Sequence, residues 1–181
     1  MTDNKFSYCP QCGSKNIETH KGGRKWQCPD CDFDLYNNVA SAVGLVIANS
    51  RHEVLFEKRA KEPRKGFHAL PGGFTNPDET AEQAAVRECR EETGVEPEAV
   101  TYLCSFPNTY EYRGITYKTC DLFFTAKLPE HFNFNPDAKE VSEVSWLPIR
   151  TEEDIEKADL AFDSAKHTLS IWLKQHSGDK Q

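Results

Sequence analysis

The stretch GFTNPDETAEQAAVRECREETGV, residues 73–95, reads as a glycine-led loop that turns into a helix. Thr80 followed three residues later by Gln83 fits a capping box, and Gly94 stands where a left-handed C-terminal cap is wanted. These signals predict a helix over Thr80–Thr93. Within it Ala81, Ala85, Glu88 and Glu92 are spaced i, i+4, i+7 and i+11, so they share one stripe. A helix built only for packing would continue that stripe with Leu or Val. This one passes from alanine to glutamate and sets Glu91 beside the row. Carboxylates this close repel one another unless a cation neutralises them. Hard oxygen donors gathered in this way suit Mg²⁺ or Mn²⁺. A plainer reading stands beside it: a solvated acidic face relieved by Arg87 and Arg90, with Arg87–Glu91 an i,i+4 pair.

Upstream of the loop, VASAVGLVIAN (39–49) is an apolar run suited to a buried central strand. EVLFEKR (53–59) alternates and is expected as its hairpin partner, with Asn49–His52 as the connection. Downstream, VTYLCSF (100–106) and YKTCDLFFTAKL (117–128) read as strands joined by a turn around Gly114, and EVSWLPI (143–149) as a further short strand. A helical tail is expected from about Thr151 to His176. Strands flanking a central helix, with another helix at the end, predict an α/β sandwich with a mixed sheet.

Residues 1–37 differ from the rest. They hold four of the seven cysteines and little aliphatic content, too little for a core of their own. Cys9-Pro-Gln-Cys12 and Cys28-Pro-Asp-Cys31 give two C-x2-C pairs with fifteen residues between them. Each such turn aims two thiolates at one point, and two turns complete a tetrahedron, the arrangement of a structural Zn²⁺ site with no open position. Iron is the alternative metal, and His20 a possible substitute ligand. The segment resembles a zinc ribbon. Domain boundaries are therefore expected at 1–37 for the ribbon and 38–181 for the main domain. Cys89, Cys104 and Cys120 lie in apolar or strand-like stretches and read as small buried hydrophobes.

Gly73, Glu79, Arg87-Glu88, the apolar Cys89, Glu91-Glu92, Gly94 and the apolar Val95 together fill every defined position of the Nudix box. The chain thus resembles a Nudix hydrolase from about Asn38 onward. What the resemblance implies is an α/β/α sandwich in which Glu88, Glu91 and Glu92 hold Mg²⁺ or Mn²⁺. Arg87 would bind Glu79 and tie loop to helix, and Gly73 would let the loop approach substrate phosphates. Glu140 is the first candidate for a completing carboxylate further along the chain, because it precedes a strand; Glu143 is the second. The implied reaction is attack of water on phosphorus in a nucleoside diphosphate linked to another group, with metal ions acidifying the water and neutralising the bridging oxygens.

Substrate is less constrained. A zinc ribbon ahead of the box resembles the layout of NADH pyrophosphatases, but the region Cys104–Tyr112 lacks most of their proline- and aromatic-rich signature. ADP-ribose, NADH and dinucleoside polyphosphates all remain candidates. Phe106, Tyr110 and Tyr112 could stack on a base or simply pack in a hairpin. His68, in FHALPGG, either faces the phosphates or is a structural histidine.

Formal net charge is -7 and no basic stripe is visible, which argues against a bulk nucleic-acid binder. The start, MTDNKFSYCP, has no secretory apolar stretch and no membrane-length apolar run occurs, so a cytoplasmic protein is expected. A homodimer is compatible with the ribbon. Two other function classes share the fold: a binding or sensor module for nucleotide or RNA, and an isomerase of isopentenyl diphosphate type with a catalytic cysteine.

Overall fold

The capping signals around residues 80–94 place a helix where they were expected. In a computed structural model, which describes residues 6–176, helix α1 spans Ala81–Thr93. Both halves of the Thr80/Gln83 capping box are formed, and Gly94 closes the helix at φ 78° while donating its N–H to the Arg90 carbonyl. Residues 1–5 and 177–181, the ends of the two expected segments, lie outside the described residues.

The chain divides into two compact units. The first contains residues 1–40 with 109–118, and the second 41–108 with 119–181. In the first, strands β1 (Glu18–His20), β2 (Lys25–Cys28) and β3 (Phe33–Tyr36) form an antiparallel sheet in the order β1-β2-β3. Its apolar content is small: Trp26 is buried, with Phe6 edge-on to it at 4.8 Å between centroids.

In the second unit the strands are β4 (Ala40–Ile47), β5 (Glu53–Arg59), β6 (His68–Ala69), β7 (Glu98–Tyr112), β8 (Ile115–Lys127) and β9 (Val141–Pro148), two of them running out into the hairpin tip. They form two three-stranded sheets, β4-β8-β7 and β6-β5-β9. Helices α2 (Glu152–Lys157) and α3 (Asp163–His176) follow. Strand alternation divides the core between two layers. Val43, Leu45 and Ile47 of β4, Leu55 of β5 and Phe124 of β8 pack with Ala84, Ala85 and Cys89 of α1. The intervening Val46, Val54, Phe56 and Phe123 pack with Ile155 of α2 and with Ala165, Leu169 and Trp172 of α3. The result is an α/β/α sandwich. Strand directions are mixed: β5 is antiparallel to β6 and β9, while His68 bridges Leu160 in parallel.

Three expectations are revised. Strands β4 and β5 are not a full hairpin; among the described residues they meet at an Ala48–Val54 bridge, beside which the Asn49 N–H donates to the Glu53 carbonyl at 2.9 Å. The glycine loop takes the place of β5 along β4. Val43 N–H donates to the Gly73 carbonyl at 2.8 Å, Leu45 N–H to Pro71 at 2.9 Å, and Thr75 N–H to Ser41 at 3.2 Å. The expected tail helix is two helices, because Ala158 ends α2 and Asp159 adopts a left-handed φ of 47° that cannot continue it. The β7–β8 hairpin also runs longer than its apolar runs suggest, with the polar Pro107–Tyr112 still in β7. No helix among the described residues is long and apolar enough to cross a membrane.

Candidate active site

Arg87 is the organising group of the loop–helix junction. Its Nε and Nη2 donate to the two oxygens of Glu79 at 3.0 and 2.6 Å, and Nη2 also donates to the Phe74 carbonyl at 3.0 Å. Its Nη1 donates to Glu88 at 2.6 Å and to Glu91 at 3.1 Å. This fork-to-carboxylate geometry is the strong form of an ion pair. The Glu79 carboxyl is held down at about 2 by Arg87 and by the Asn76 N–H. Glu79 thus stays ionised and fixes the loop to the helix.

Gly72 and Gly73 bring the loop backbone onto the carboxylates. The Gly72 N–H donates to Glu92 Oε2 at 2.8 Å. A Cβ on Gly72 would lie 2.1 Å from the Val43 carbonyl oxygen, and one on Gly73 would lie 2.7 Å from the Glu88 carboxyl carbon. Only glycine allows both approaches.

Burial governs the carboxylates themselves. It raises Glu92 to about 8, against the lowering effect of the Gly72 N–H, with Glu88 and Glu140 adding repulsion. Burial also raises Glu88, opposed by Arg87, with Glu91 and Glu140 again repulsive. Glu140 therefore lies within electrostatic reach of both; its carboxylate pairs with Lys61 at 2.5 Å. Glu143 sits on β9 opposite Lys58 and is exposed.

A further carboxylate belongs to this cluster. Glu57, on β5, is 3% exposed, and burial followed by the neighbouring Glu92 holds its pKa well above the ordinary range. The Glu57 and Glu92 carboxyls act on one another's protonation. Sequence reasoning missed it, because a glutamate in EVLFEKR looks like the wet face of an alternating strand. The signal was the period itself: Leu55, two residues earlier on the same face, is in the α1 core.

Other expected residues are placed elsewhere. His68 Nδ1 is bonded to the Ala158 carbonyl at 2.7 Å, tethering β6 to the end of α2. Phe106 meets the His167 ring of α3 in a tilted contact, centroids 5.3 Å apart, and packs on that core. Tyr110 and Tyr112 belong to the first unit, at the hairpin tip. Their ring centroids are 6.4 Å apart, Tyr117 is 6.5 Å from Tyr110, and Arg113 lies over Tyr112.

Also in the first unit, the sulfurs of Cys9, Cys12, Cys28 and Cys31 all lie within 4.8 Å of one another. The Cys9–Cys31 and Cys12–Cys28 separations are 3.6 and 3.7 Å. A tetrahedron of zinc–sulfur bonds has edges of about 3.8 Å. The cluster fits a zinc ribbon.

With this geometry in place, comparison with known proteins is decisive. The NUDIX domain profile matches residues 39–168. The chain belongs to the NUDIX family. It is 28% identical over 160 residues to a NAD-capped RNA hydrolase of Vibrio atlanticus, covering 82% of this chain and 51% of that protein. A NAD-capped RNA hydrolase of Schizosaccharomyces pombe is 32% identical over 118 residues, 57% of this chain and 31% of that one. An ADP-ribose pyrophosphatase of Methanocaldococcus jannaschii is 44% identical over 71 residues, 39% of this chain and 41% of the other. This NUDIX chain thus spans a third to a half of the curated relatives it matches. A NUDIX hydrolase crystal structure from Nitrosomonas europaea matches with a TM-score of 0.72 at 27% identity, covering 95% of this chain and 93% of the other.

The raised Glu92 gives the NUDIX fold a definite pH response. A carboxyl whose folded pKa is about 8 stabilises the fold below its ordinary value near 4.5, and that stabilisation is lost as pH rises toward 8. Zinc-replete protein without added Mg²⁺ or Mn²⁺ is expected to melt at lower temperature at pH 8.5 than at pH 5.5. Added Mg²⁺ should restore more at the higher pH. Calorimetry at constant ionic strength checks both, and a smaller pH dependence in Glu92→Gln than in the parent identifies the contribution of Glu92.

Proposed function

We propose that this chain hydrolyses the phosphoric anhydride of a nucleoside diphosphate joined to a second group, with an adenosine diphosphate esterified to another ribose as the leading substrate class. One observation carries the reaction type: Glu92 and Glu88 meet the Gly72–Gly73 backbone, while Arg87 holds both Glu88 and Glu91 at the same junction. The substrate class is supported by the relatives' names, since NAD caps and ADP-ribose share that diphosphate core. Dinucleoside polyphosphates are the next class.

The residues fit a divalent cation. The donors are hard oxygens, burial raises the pKa of two of them, Glu88 and Glu92, and the guanidinium beside them is already committed to Glu79. Mg²⁺ or Mn²⁺ held by Glu88, Glu91 and Glu92 would neutralise the diphosphate and make attacking water more acidic. The protein's own part is positional. Arg87 keeps the helix and loop in register, the Gly72 N–H orients Glu92, and Gly73 lets the loop backbone lie directly against the Glu88 carboxylate. Water supplies the new phosphorus–oxygen bond, the bridging bond breaks, a site carboxylate takes the proton, and the phosphate leaves as an anion. Cys9, Cys12, Cys28 and Cys31 would bind a structural Zn²⁺ in a 1–37 ribbon, ahead of a 38–181 catalytic domain.

The test is a panel of ADP-ribose, NADH, diadenosine polyphosphates, nucleotide sugars, coenzyme A, nucleoside triphosphates and a short NAD-capped RNA, each with Mg²⁺ and with Mn²⁺. Hydrolysis in ¹⁸O-water with product identification names the bond cut. No turnover of any member would sink the proposal. Gly73→Ala should lower turnover by roughly 10²-fold through displaced carboxylate geometry, with little change in melting temperature.

A further inference from the structure

The least comfortable group in the second unit is Glu57. Strand β5 is the middle strand of β6-β5-β9, and alternation sends Val54 and Phe56 into the α2/α3 core. Leu55 and Glu57 are thereby directed toward α1. A position of this kind calls for an aliphatic side chain, and Leu55 obeys the rule. Glu57 breaks it while being 3% exposed. Its Oε1 is the buried side-chain oxygen left without any hydrogen-bond partner among the described residues. Glu92 and Glu88, of the same sign, both press on it.

Arg59 acts on it in the opposite sense, but Arg59 is turned to other work. A bulge between Lys58 and Arg59 breaks the register of β5 with β9. Beyond it, the Arg59 guanidinium donates from Nε to the Pro63 carbonyl at 2.8 Å and lies over the Phe162 ring at 5.4 Å. A buried carboxylate that faces two others, with one oxygen unbonded, is a costly arrangement in a protein that needs only a core there. It becomes favourable when a cation occupies the space the carboxylates share.

We propose that Glu57 supplies a ligand oxygen, from the sheet side, to the divalent cation site that Glu88 and Glu92 form on α1. This rests on the metal-dependent reading of the site. It adds a donor outside the box: the cation would be gripped between a helix and the central strand of a sheet, bonding two layers of the sandwich. Cation affinity and the α1–β5 packing then become one property.

The experiment uses the full zinc-replete chain and Mn²⁺ as probe, followed by electron paramagnetic resonance and isothermal titration, with melting temperature recorded with and without Mn²⁺. Wild type, Glu57→Gln and Glu57→Leu are compared. Both variants should bind Mn²⁺ at least tenfold more weakly than wild type. Glu57→Leu should melt higher than wild type without Mn²⁺, since it removes the orphaned carboxyl, yet gain less on adding Mn²⁺. A purely structural Glu57 cannot give that crossing of signs. Wild-type Mn²⁺ affinity in Glu57→Gln and Glu57→Leu overturns the assignment and leaves the box site standing. Absence of Mn²⁺ binding to the wild type overturns the metal reading and this assignment together. Glu57→Gln covers the case in which the leucine variant does not fold.

Discussion

Glu92→Gln is expected to reduce kcat on the best substrate of the panel by on the order of 10³-fold, the loss seen when a preorganised electrostatic group leaves a reacting centre. The substitution keeps the shape of the side chain, and the amide oxygen can still accept from the Gly72 N–H, which Glu92 Oε2 accepts at 2.8 Å. What disappears is the ability to carry a negative charge toward a bound cation at a half-buried position. Folding should therefore survive, and without a divalent cation the variant should be at least as stable as the parent, because burial no longer works against an ionisable group. Steady-state kinetics with saturating Mg²⁺, beside a melting curve for each protein, separates the two effects. Wild-type turnover in Glu92→Gln would remove the carboxylate helix from the mechanism altogether.

The second large effect lies in the other unit. Cys28→Ser is expected to abolish stoichiometric zinc and to unfold the β1-β2-β3 sheet. Cys28 is fully buried, its sulfur is 3.7 Å from that of Cys12, and its strand carries the buried Trp26. So small a core cannot offset the loss of a structural metal site, whose binding free energy in isolated finger-like peptides is about 10–16 kcal/mol. Plasma emission spectrometry should give one zinc per wild-type chain and none per variant. Loss of Trp26 fluorescence anisotropy and of amide protection over residues 18–36 should accompany it. Retention of that protection in the metal-free variant would show that the sheet stands on its own packing.

Much of the site was legible from residues 73–95 because helix capping, the i+4 stripe and the glycines act locally. Each depends on neighbours within about one turn, so sequence alone reports them. Glu57 and the glycine loop's alignment along β4 depend on contacts across the sandwich, which spacing cannot encode. The expected β4–β5 hairpin failed for the same reason: alternation in EVLFEKR fixes which residues point together, not which strand lies beside them. The tail broke at Asp159 because a single left-handed residue leaves little mark in an otherwise helical pattern. For Phe106 and His68 the sequence left a substrate-facing and a packing reading open, and both are engaged with the α2/α3 side.

A guanidinium has five N–H donors, and at Arg87 all five are spent: one on Nε, two on Nη1 and two on Nη2. The residue is a keystone with no hand free for an incoming anion. A diphosphate arriving beside Gly73 would find no free donor on Arg87, and Glu88 and Glu92 would repel it unless a divalent ion preceded or accompanied it. Ligand and ion would then enter as thermodynamic partners, each raising the affinity for the other by the same factor. Such a protein would ignore free nucleotide anions and respond only to their cation complexes.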